Sequence, residues 1–482
     1  MIEYSSLFID GAWRPPSSTH SFKVMSATTG ELIGVAPSAD RTDADAAVAA
    51  ARRAFDDPHG WSSWEPERRG AALRRFAEAM ERRAQEIARC VSMQNGMPIA
   101  VSSIGEGSLP PMVLRYYADL AEATAVESTR PGLRSGMTTV RREPVGVVVA
   151  IAPWNAPQAL SVFKYAPALA AGCTVVLKPS PETVLDANLI AVAASEAGLP
   201  PGVLSVLPAD RDVSAYLVGH PGVDKVAFTG STAAGRAIAE VCGKLLRPVT
   251  LELGGKSAAV MLDDIDLSDP ALASALPAAT IANSGQTCYL GTRVLVPSHR
   301  HDEIVEYLAD LVGSLVIGDA LDPTTQLGPL VSAQHRERVE RYITVGHEEG
   351  GKVVTGGRRP AWAKAGWFLE PTIFTGLDNT STLAREEIFG PVLTVIPYRD
   401  VDDAIRLAND SEYGLGGTVW TSDPERGMSV ARRIRSGTLG VNGYRVDPGA
   451  PFGGVKASGL GRELGPQGLA SYEELKSIYQ PA

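Results

Sequence analysis

One cysteine stands in the run Asn283-Ser284-Gly285-Gln286-Thr287-Cys288-Tyr289-Leu290-Gly291, between a Gly-Gln step and a bulky aromatic. A thiolate attacks carbonyl carbon readily, provided a base or a positive field helps it form. A lone free cysteine is usually just a small buried hydrophobe, so Cys288 alone decides nothing. The chain has 4 cysteines in 482 residues, and Cys90, Cys173, Cys242 and Cys288 show no CxxC and no metal-ligand spacing near a histidine. No metal is expected, and the pattern fits a reducing, cytoplasmic setting.

A second stretch, "KVAFTGSTAAGRAI", reads as a strand, a turn from Gly230 to Gly235, and a helix. Glycines let backbone approach a phosphate, and the first N–H groups of a helix attract its charge. The match to a dinucleotide fingerprint is imperfect, because Thr232 takes the place of the middle glycine. About 20 residues on, such a fold puts an acid on the ribose hydroxyls, and Glu252 in "VTLELGGKS" has that spacing. A carboxylate at a strand end followed by Gly254-Gly255 could equally swing into a cleft as a general base. The residues themselves leave both roles open.

Regular elements must position these groups. From Val145 onward, "VGVVVAI", "TVVLK", "VLSVL", "KVAFT" and "VTLEL" read as buried strands, with helical segments over 182–197 and 232–241 between them. Repeated strand–helix–strand units predict a parallel sheet covered on both faces. A second set follows: "SAAVML", a helix through Ala282, "TRVLV", a helix around 299–315, then "PVLTVIPY", "GTVW" and "TLGVN". The fold class is therefore α/β with two parallel-sheet lobes, the first ending near Leu253, and the cleft between them is the natural ligand site.

Ahead of the lobes, residues 1–40 read as short strands and turns, and "TDADAAVAAARRAFD" and "PERRGAALRRFAEAMERRAQEIARCVSMQNG" as amphipathic helices. The polar, turn-rich segment 130–144 is either a surface hairpin or an arm that pairs with another subunit and with the final "KSIYQPA". The length predicts two or three domains. A net charge of −10 argues against nucleic acid. The early acid in "MIEYSSLFIDGAW" argues against a secretory signal, and the longest apolar run, 145–152, is too short to cross a bilayer.

Eight stretches in order, "QNGMP", "PVGVVVAIAPWNAP", "LKPSPET", "FTGSTAAG", "LELGGKS", "NSGQTC", "EEIFGPVL" and "PFGGVKASGLGREL", are together similar to the aldehyde dehydrogenase superfamily over nearly the whole chain. The resemblance implies two Rossmann-like lobes and a small β oligomerisation arm. It divides the chain into a cofactor-binding domain (1–124 and 143–253), a catalytic domain (254–453), an arm (125–142 and 472–482) and a return segment (454–471) on the cofactor lobe. It makes Cys288 the nucleophile, Asn155 the side-chain donor to the oxyanion with the Cys288 N–H, and Glu252 the base that activates water on a thioester. Ser284 and Gly285 would let the thiol and a nicotinamide approach each other. It also implies NAD, with NADP as the alternative. Lys178 would reach the adenosine ribose, Trp154 and Ser231 the diphosphate, and Glu387 the nicotinamide ribose beside Phe389. Ser180, Gly230, Gly235 and Leu253 would complete that set. The substrate tunnel would be lined by Tyr117, Ala156, Leu160, Phe163, Thr287, Tyr289, Tyr444 and Phe452, for a small-molecule aldehyde. A homodimer or homotetramer is implied, with no nucleic-acid or membrane partner.

Three departures from the family pattern matter. The glutamate expected three residues after Lys178 is Pro181, with Glu182 one step later, which loosens discrimination against NADP. A second glutamate that relays protons is expected in the turn after "GREL", where this chain has Pro466, so Glu252 is expected to work with water alone. Ala156 replaces the phenylalanine of "PWNFP", which opens the tunnel toward bulky aromatic or branched apolar aldehydes. No arginine falls on the tunnel positions to anchor a carboxylated substrate. The competing readings are a CoA-acylating semialdehyde enzyme, disfavoured by Glu252, a non-catalytic binding or structural protein, and a thiol hydrolase using His299 or His301.

Overall fold

The computed structural model describes residues 1–481. Its first large sheet runs, edge to edge, Gly459–Leu460, Val249–Glu252, Lys225–Thr229, Val147–Ile151, Thr174–Lys178, Leu204–Val206, Leu7–Ile9 and Ala12–Arg14. The five strands from Val249–Glu252 to Leu204–Val206 are mutually parallel. They are Val/Leu/Ile-rich and almost wholly buried, as strands sandwiched between helix layers must be. The outermost pairings are antiparallel. Chain order reverses between Val147–Ile151 and Lys225–Thr229. Such a switch point opens a crevice beyond the carboxyl ends of the two strands. The loops leaving those ends carry Asn155 and Gly230.

The second sheet is ordered Lys352–Thr355, Thr372–Thr375, Val392–Tyr398, Arg293–Pro297, Ala258–Met261, Gly417–Trp420 and Gly440–Val441, parallel except for its first edge strand. Two α/β lobes are thus present. The helical run before the first lobe breaks at Arg83 into Pro66–Arg82 and Ala84–Asn95. Helix Pro157–Ala171 is buried at every residue, including a lysine, Lys164.

The segment around 130–144 is neither a lone hairpin nor free to accept only a foreign strand. Strands Glu127–Pro131 and Met137–Pro144 form a hairpin, and Glu473–Gln480 of the same chain pairs with it from Glu473↔Pro144 to Gln480↔Met137. Leu475, Ile478 and Tyr479 on this small sheet are exposed. The last arm residue, Ala482, lies outside the described residues. No helix among them is long and apolar enough to cross a membrane.

The second lobe is tied together by a buried guanidinium. Arg293, 1% exposed, donates to the Lys256, Leu407 and Ala408 carbonyls and to Asn379 Oδ1 at 2.7–3.0 Å. Arg293→Met keeps the bulk but orphans those acceptors. The chain should lose about 3–5 kcal/mol of stability, read from the denaturant midpoint, as when one partner of a buried charged network is removed.

Candidate active site

Cys288 follows a backbone held in a rare conformation. Asn283, Ser284 and Gly285 have φ of 51°, 55° and 76° in succession. Asparagine and glycine tolerate this region, whereas most residues do not. A Cβ on Gly285 would lie 2.0 Å from the Gly390 carbonyl oxygen, so this position packs directly on the second lobe. Ser284 is turned away from the cleft and donates to the Gly328 carbonyl at 2.6 Å. Both small residues thus also have a structural part, and Gly285 lines a small cavity with Thr287, Glu387 and Phe389 as well. They shape the loop that presents the thiol.

Cys288 itself is half-buried. Burial pushes its thiol well above the usual cysteine range, and the carboxylates of Glu387 and Glu252 push it further. None of the groups acting on it is a histidine. His301 instead bonds Thr375 and Asp302, and both His299 and His301 line a separate surface cleft. A cysteine–histidine dyad is therefore not formed.

Asn155 lies in the turn between strand Val147–Ile151 and helix Pro157–Ala171 and is nearly buried. Its side-chain amide donates one N–H to the Gln286 carbonyl at 3.0 Å, two residues before the cysteine. The second amide hydrogen remains free for another acceptor. The Cys288 backbone N–H makes no hydrogen bond with another residue among the described residues.

Glu252 ends its strand, is 2% exposed, and neither carboxylate oxygen has a hydrogen-bond partner. Oε1 points at Gly453, where a Cβ would come within 2.5 Å. Burial raises its pKa well above the carboxylate range, the negative charge of Glu463 raises it further, and Lys164 and Arg462 oppose the shift. A buried acid without partners and with a raised pKa is suited to hold and release a proton.

A second carboxylate lies within electrostatic reach of Glu252, which the sequence pattern had not led us to expect. The second carboxylate is Glu463, inside "GREL" itself, not a residue at Pro466. Lys164 Nζ, fully buried, donates to Glu463 Oε1 at 2.7 Å, to Thr229 Oγ1 at 2.6 Å and to the Leu160 carbonyl at 3.2 Å. Glu463 Oε2 is left without a partner. Lys164 escaped the sequence reading. Its signal was a charge at the centre of a helix apolar all round.

Lys178, at the end of its strand, is nearly buried, and its amine makes no hydrogen bond or ion pair among the described residues. Burial lowers its pKa to about 8, opposed by the charges of Glu182 and Asp210. Glu182, one step late in sequence, thus still acts on the lysine because Pro181 opens a 3-10 turn, Pro181–Thr183. Ser180 donates its hydroxyl to Glu182. Ser231 caps helix Thr232–Lys244 at an exposed N-terminus beside Gly230. Gly235 is small for a packing reason, because its Cβ would meet the Leu253 side chain at 2.4 Å.

Trp154 and Phe389 meet edge-on, with ring centroids 5.3 Å apart, and His335 joins them 5.2 Å from Trp154. His335 also bonds the Phe389 carbonyl at 2.7 Å, and no sequence pattern pointed to it. Glu387 accepts from the Gly255 N–H at 3.0 Å, and burial raises its carboxyl to about 7. Gly255, Gly285, Thr287, Glu387 and Phe389 line one small cavity, beside Cys288 in sequence.

On the other side of the thiol, Cys288, Tyr289 and Ala156 pack against a cluster containing Leu160, Phe163 and Phe452. Tyr289 stacks on Tyr444 at 4.3 Å, and Tyr444 shares a hydrogen bond with Thr438. Tyr117 departs from the expected tunnel wall. It has no exposed surface, and its hydroxyl donates to the Gly465 carbonyl at 3.4 Å. On its helix it falls on the core face with Val113, Leu114 and Ala121, whereas Leu109, Tyr116 and Val446 are the half-buried apolar groups over the cluster.

Comparison with known proteins assigns the chain to a family. The family model described as "Aldehyde dehydrogenase family" matches residues 13–478. The geranial dehydrogenase of Castellaniella defragrans is 54% identical over 478 residues, covering 99% of each chain. The crystal structure of a Mycobacterium tuberculosis aldehyde dehydrogenase complexed with NAD+ superposes with a TM-score of 0.97 at 44% identity, over 100% of this chain and 99% of that one. A Pseudomonas syringae aldehyde dehydrogenase, a cysteine-to-alanine variant in complex with NAD+ and octanal, gives 0.94 at 39%, over 99% and 97%. The chain belongs to the aldehyde dehydrogenase family, and with it to the oxidoreductases.

Proposed function

We propose that this protein oxidises a bulky or branched apolar aldehyde to its carboxylic acid, with NAD as acceptor. The observation that carries the reading is the convergence of a nucleophilic thiol, two free N–H donors and an unpartnered buried carboxyl at one switch-point crevice. The residues also suit a dinucleotide: an open helix N-terminus at Ser231, the unpartnered amine of Lys178, and the Trp154–Phe389 pair. When bound, the dinucleotide supplies the acceptor for the hydride given up by the substrate carbon.

The steps on this chain's residues follow from their chemistry. The Cys288 thiol, held neutral by burial, gives its proton to the Glu252 carboxylate, which passes it to solvent before the later hydrolysis; the sulfur bonds the aldehyde carbon, and the carbonyl π pair moves onto oxygen. Asn155 Nδ2–H and the Cys288 N–H stabilise that oxyanion. Loss of hydride restores the C=O bond and leaves a thioester. Glu252 then takes a proton from water, whose oxygen bonds the carbonyl carbon. The C–S bond breaks, releasing the acid and the thiolate. Glu463, with Lys164, gives the proton on Glu252 a buried neighbour to interact with. The role of Glu252 as base is favoured over a ribose contact, since its carboxyl is buried beside Gly453 and Glu463.

The apolar wall of Leu160, Phe163, Tyr289 and Phe452 supports an apolar substrate, and the relative named geranial dehydrogenase supports a branched one. Assembly into a dimer or tetramer through the three-stranded arm is part of the same proposal, supported by its exposed Leu475, Ile478 and Tyr479. The domain divisions given above belong to it as well.

Three measurements test this. With NAD, reduced-nicotinamide formation should be faster on terpenoid or aromatic aldehydes than on short or carboxylated ones, and Ala156→Phe should reverse the order. Equal rates across the panel would sink the substrate assignment. Glu252→Gln should leave NAD affinity intact while steady-state turnover falls at least ~100-fold, leaving a single burst of reduced cofactor; lost NAD binding with normal turnover would support the ribose role instead. Because the Glu463 charge raises the Glu252 pKa, and an ionised Glu252 is the active form, activity should fall as pH drops through that pKa. Glu463→Gln removes the charge and should move the acid limb of the kcat profile to lower pH.

A further inference from the structure

The "QNGMP" stretch has no part in the mechanism above, yet its asparagine reaches the heart of the site. Asn95, 1% exposed, donates Nδ2 to the Trp154 carbonyl at 3.1 Å and to the Asn155 carbonyl at 3.3 Å. From the opposite side, Asn283 donates Nδ2 to the same Asn155 carbonyl at 3.2 Å. Asn155 answers by donating to Gln286. Two loops from different lobes are thereby joined by a reciprocal pair of amide–carbonyl bonds, with Asn95 holding the first loop from behind. Asn95 Oδ1 is itself fixed by the Met97 N–H at 2.9 Å, so the donor cannot rotate away without losing that bond.

We propose that Asn95 and Asn283 are positioning residues for the oxyanion donor. Together they pin the Asn155 backbone so that the second hydrogen of its side-chain amide faces the carbon bound to Cys288. An oxyanion donor must be placed to a few tenths of an ångström before the reaction begins, because reorientation during it forfeits the stabilisation. Asn283 suits the task twice over. Its left-handed backbone starts the turn that presents Cys288, and its side chain measures the distance from that turn to Asn155. Its Oδ1 has no partner, so the donated bond is the side chain's one hydrogen bond among the described residues.

This inference rests on the oxyanion role of Asn155 proposed above, and a double-mutant cycle separates the two. Asn155→Ala should lower kcat by roughly 10²–10³-fold. Asn95→Ala should lower kcat by roughly ten- to a hundred-fold, with the aldehyde KM and NAD affinity nearly unchanged. In the Asn155→Ala background the same change should cost less than about twofold, because Asn95 acts only through Asn155. A residue that merely supports the fold would give additive losses. Asn283→Gly runs the same cycle without disturbing Asn95, since glycine accepts the positive φ. It decides the matter should Asn95→Ala fail to fold. Additive losses, or unchanged kcat in both variants beside an impaired Asn155→Ala, would overturn the positioning role and leave the oxyanion role intact. An unimpaired Asn155→Ala would overturn both.

Discussion

A fully buried lysine organises the cofactor lobe's side of the crevice. Lys164 sits in the middle of a helix buried at every residue, and a lone ammonium there would be strongly unfavourable. It is tolerated because three elements bring oxygen to it: Thr229 from a strand end, Leu160 from its own helix, and Glu463 from the segment that returns from the second lobe. Satisfying that charge requires the return segment to dock. Docking then pairs Gly459 with Glu252 and Phe452 with Glu463, which sets one side of the crevice. Glu252 and the apolar wall at Phe452 are thus located by the same electrostatic demand.

The opposite side of the crevice is located by hydrogen bonds between neutral groups. The Asn155 turn leaves the first sheet at its switch point, and the Cys288 loop arrives from the second lobe in a left-handed run. Each loop offers the other an amide donor and a carbonyl acceptor. Such bonds are individually modest, about 1 kcal/mol net, but they are directional. Their value here lies in orientation. In the proposed mechanism the base needs a low dielectric to hold its proton and the oxyanion site needs a fixed geometry, and two different kinds of interaction suit those needs.

The substrate side is a packing problem. Ala156 caps helix Pro157–Ala171 and carries only a methyl where the resemblance leads one to expect a ring, while Tyr289 and Tyr444 stack on each other nearby. Tyr117 illustrates how a residue can bear the right chemistry and yet face the wrong way. Its place on the helix turns it into the core, and its neighbour Tyr116 takes the half-open position.

Much of this protein was determined by the sequence alone. Runs of Val, Leu and Ile bounded by glycine and helical segments have no stable home except a buried parallel sheet, so both lobes were legible. The local settings of Cys288, Asn155 and Glu252 were legible because they are encoded in short stretches: a loop, a turn and a strand end. What the residues could not convey was which distant groups meet. Lys164 and Glu463 are 299 positions apart and contact each other. Asn95 and Asn155 are 60 apart, and Asn283 reaches Asn155 across 128. Glu182 acts on Lys178 despite its shifted position, since a 3-10 turn absorbs the extra residue. Local pattern encodes the face a residue presents and the element that carries it. Partners brought together by chain closure depend on how whole elements dock, and only the tertiary structure decided that.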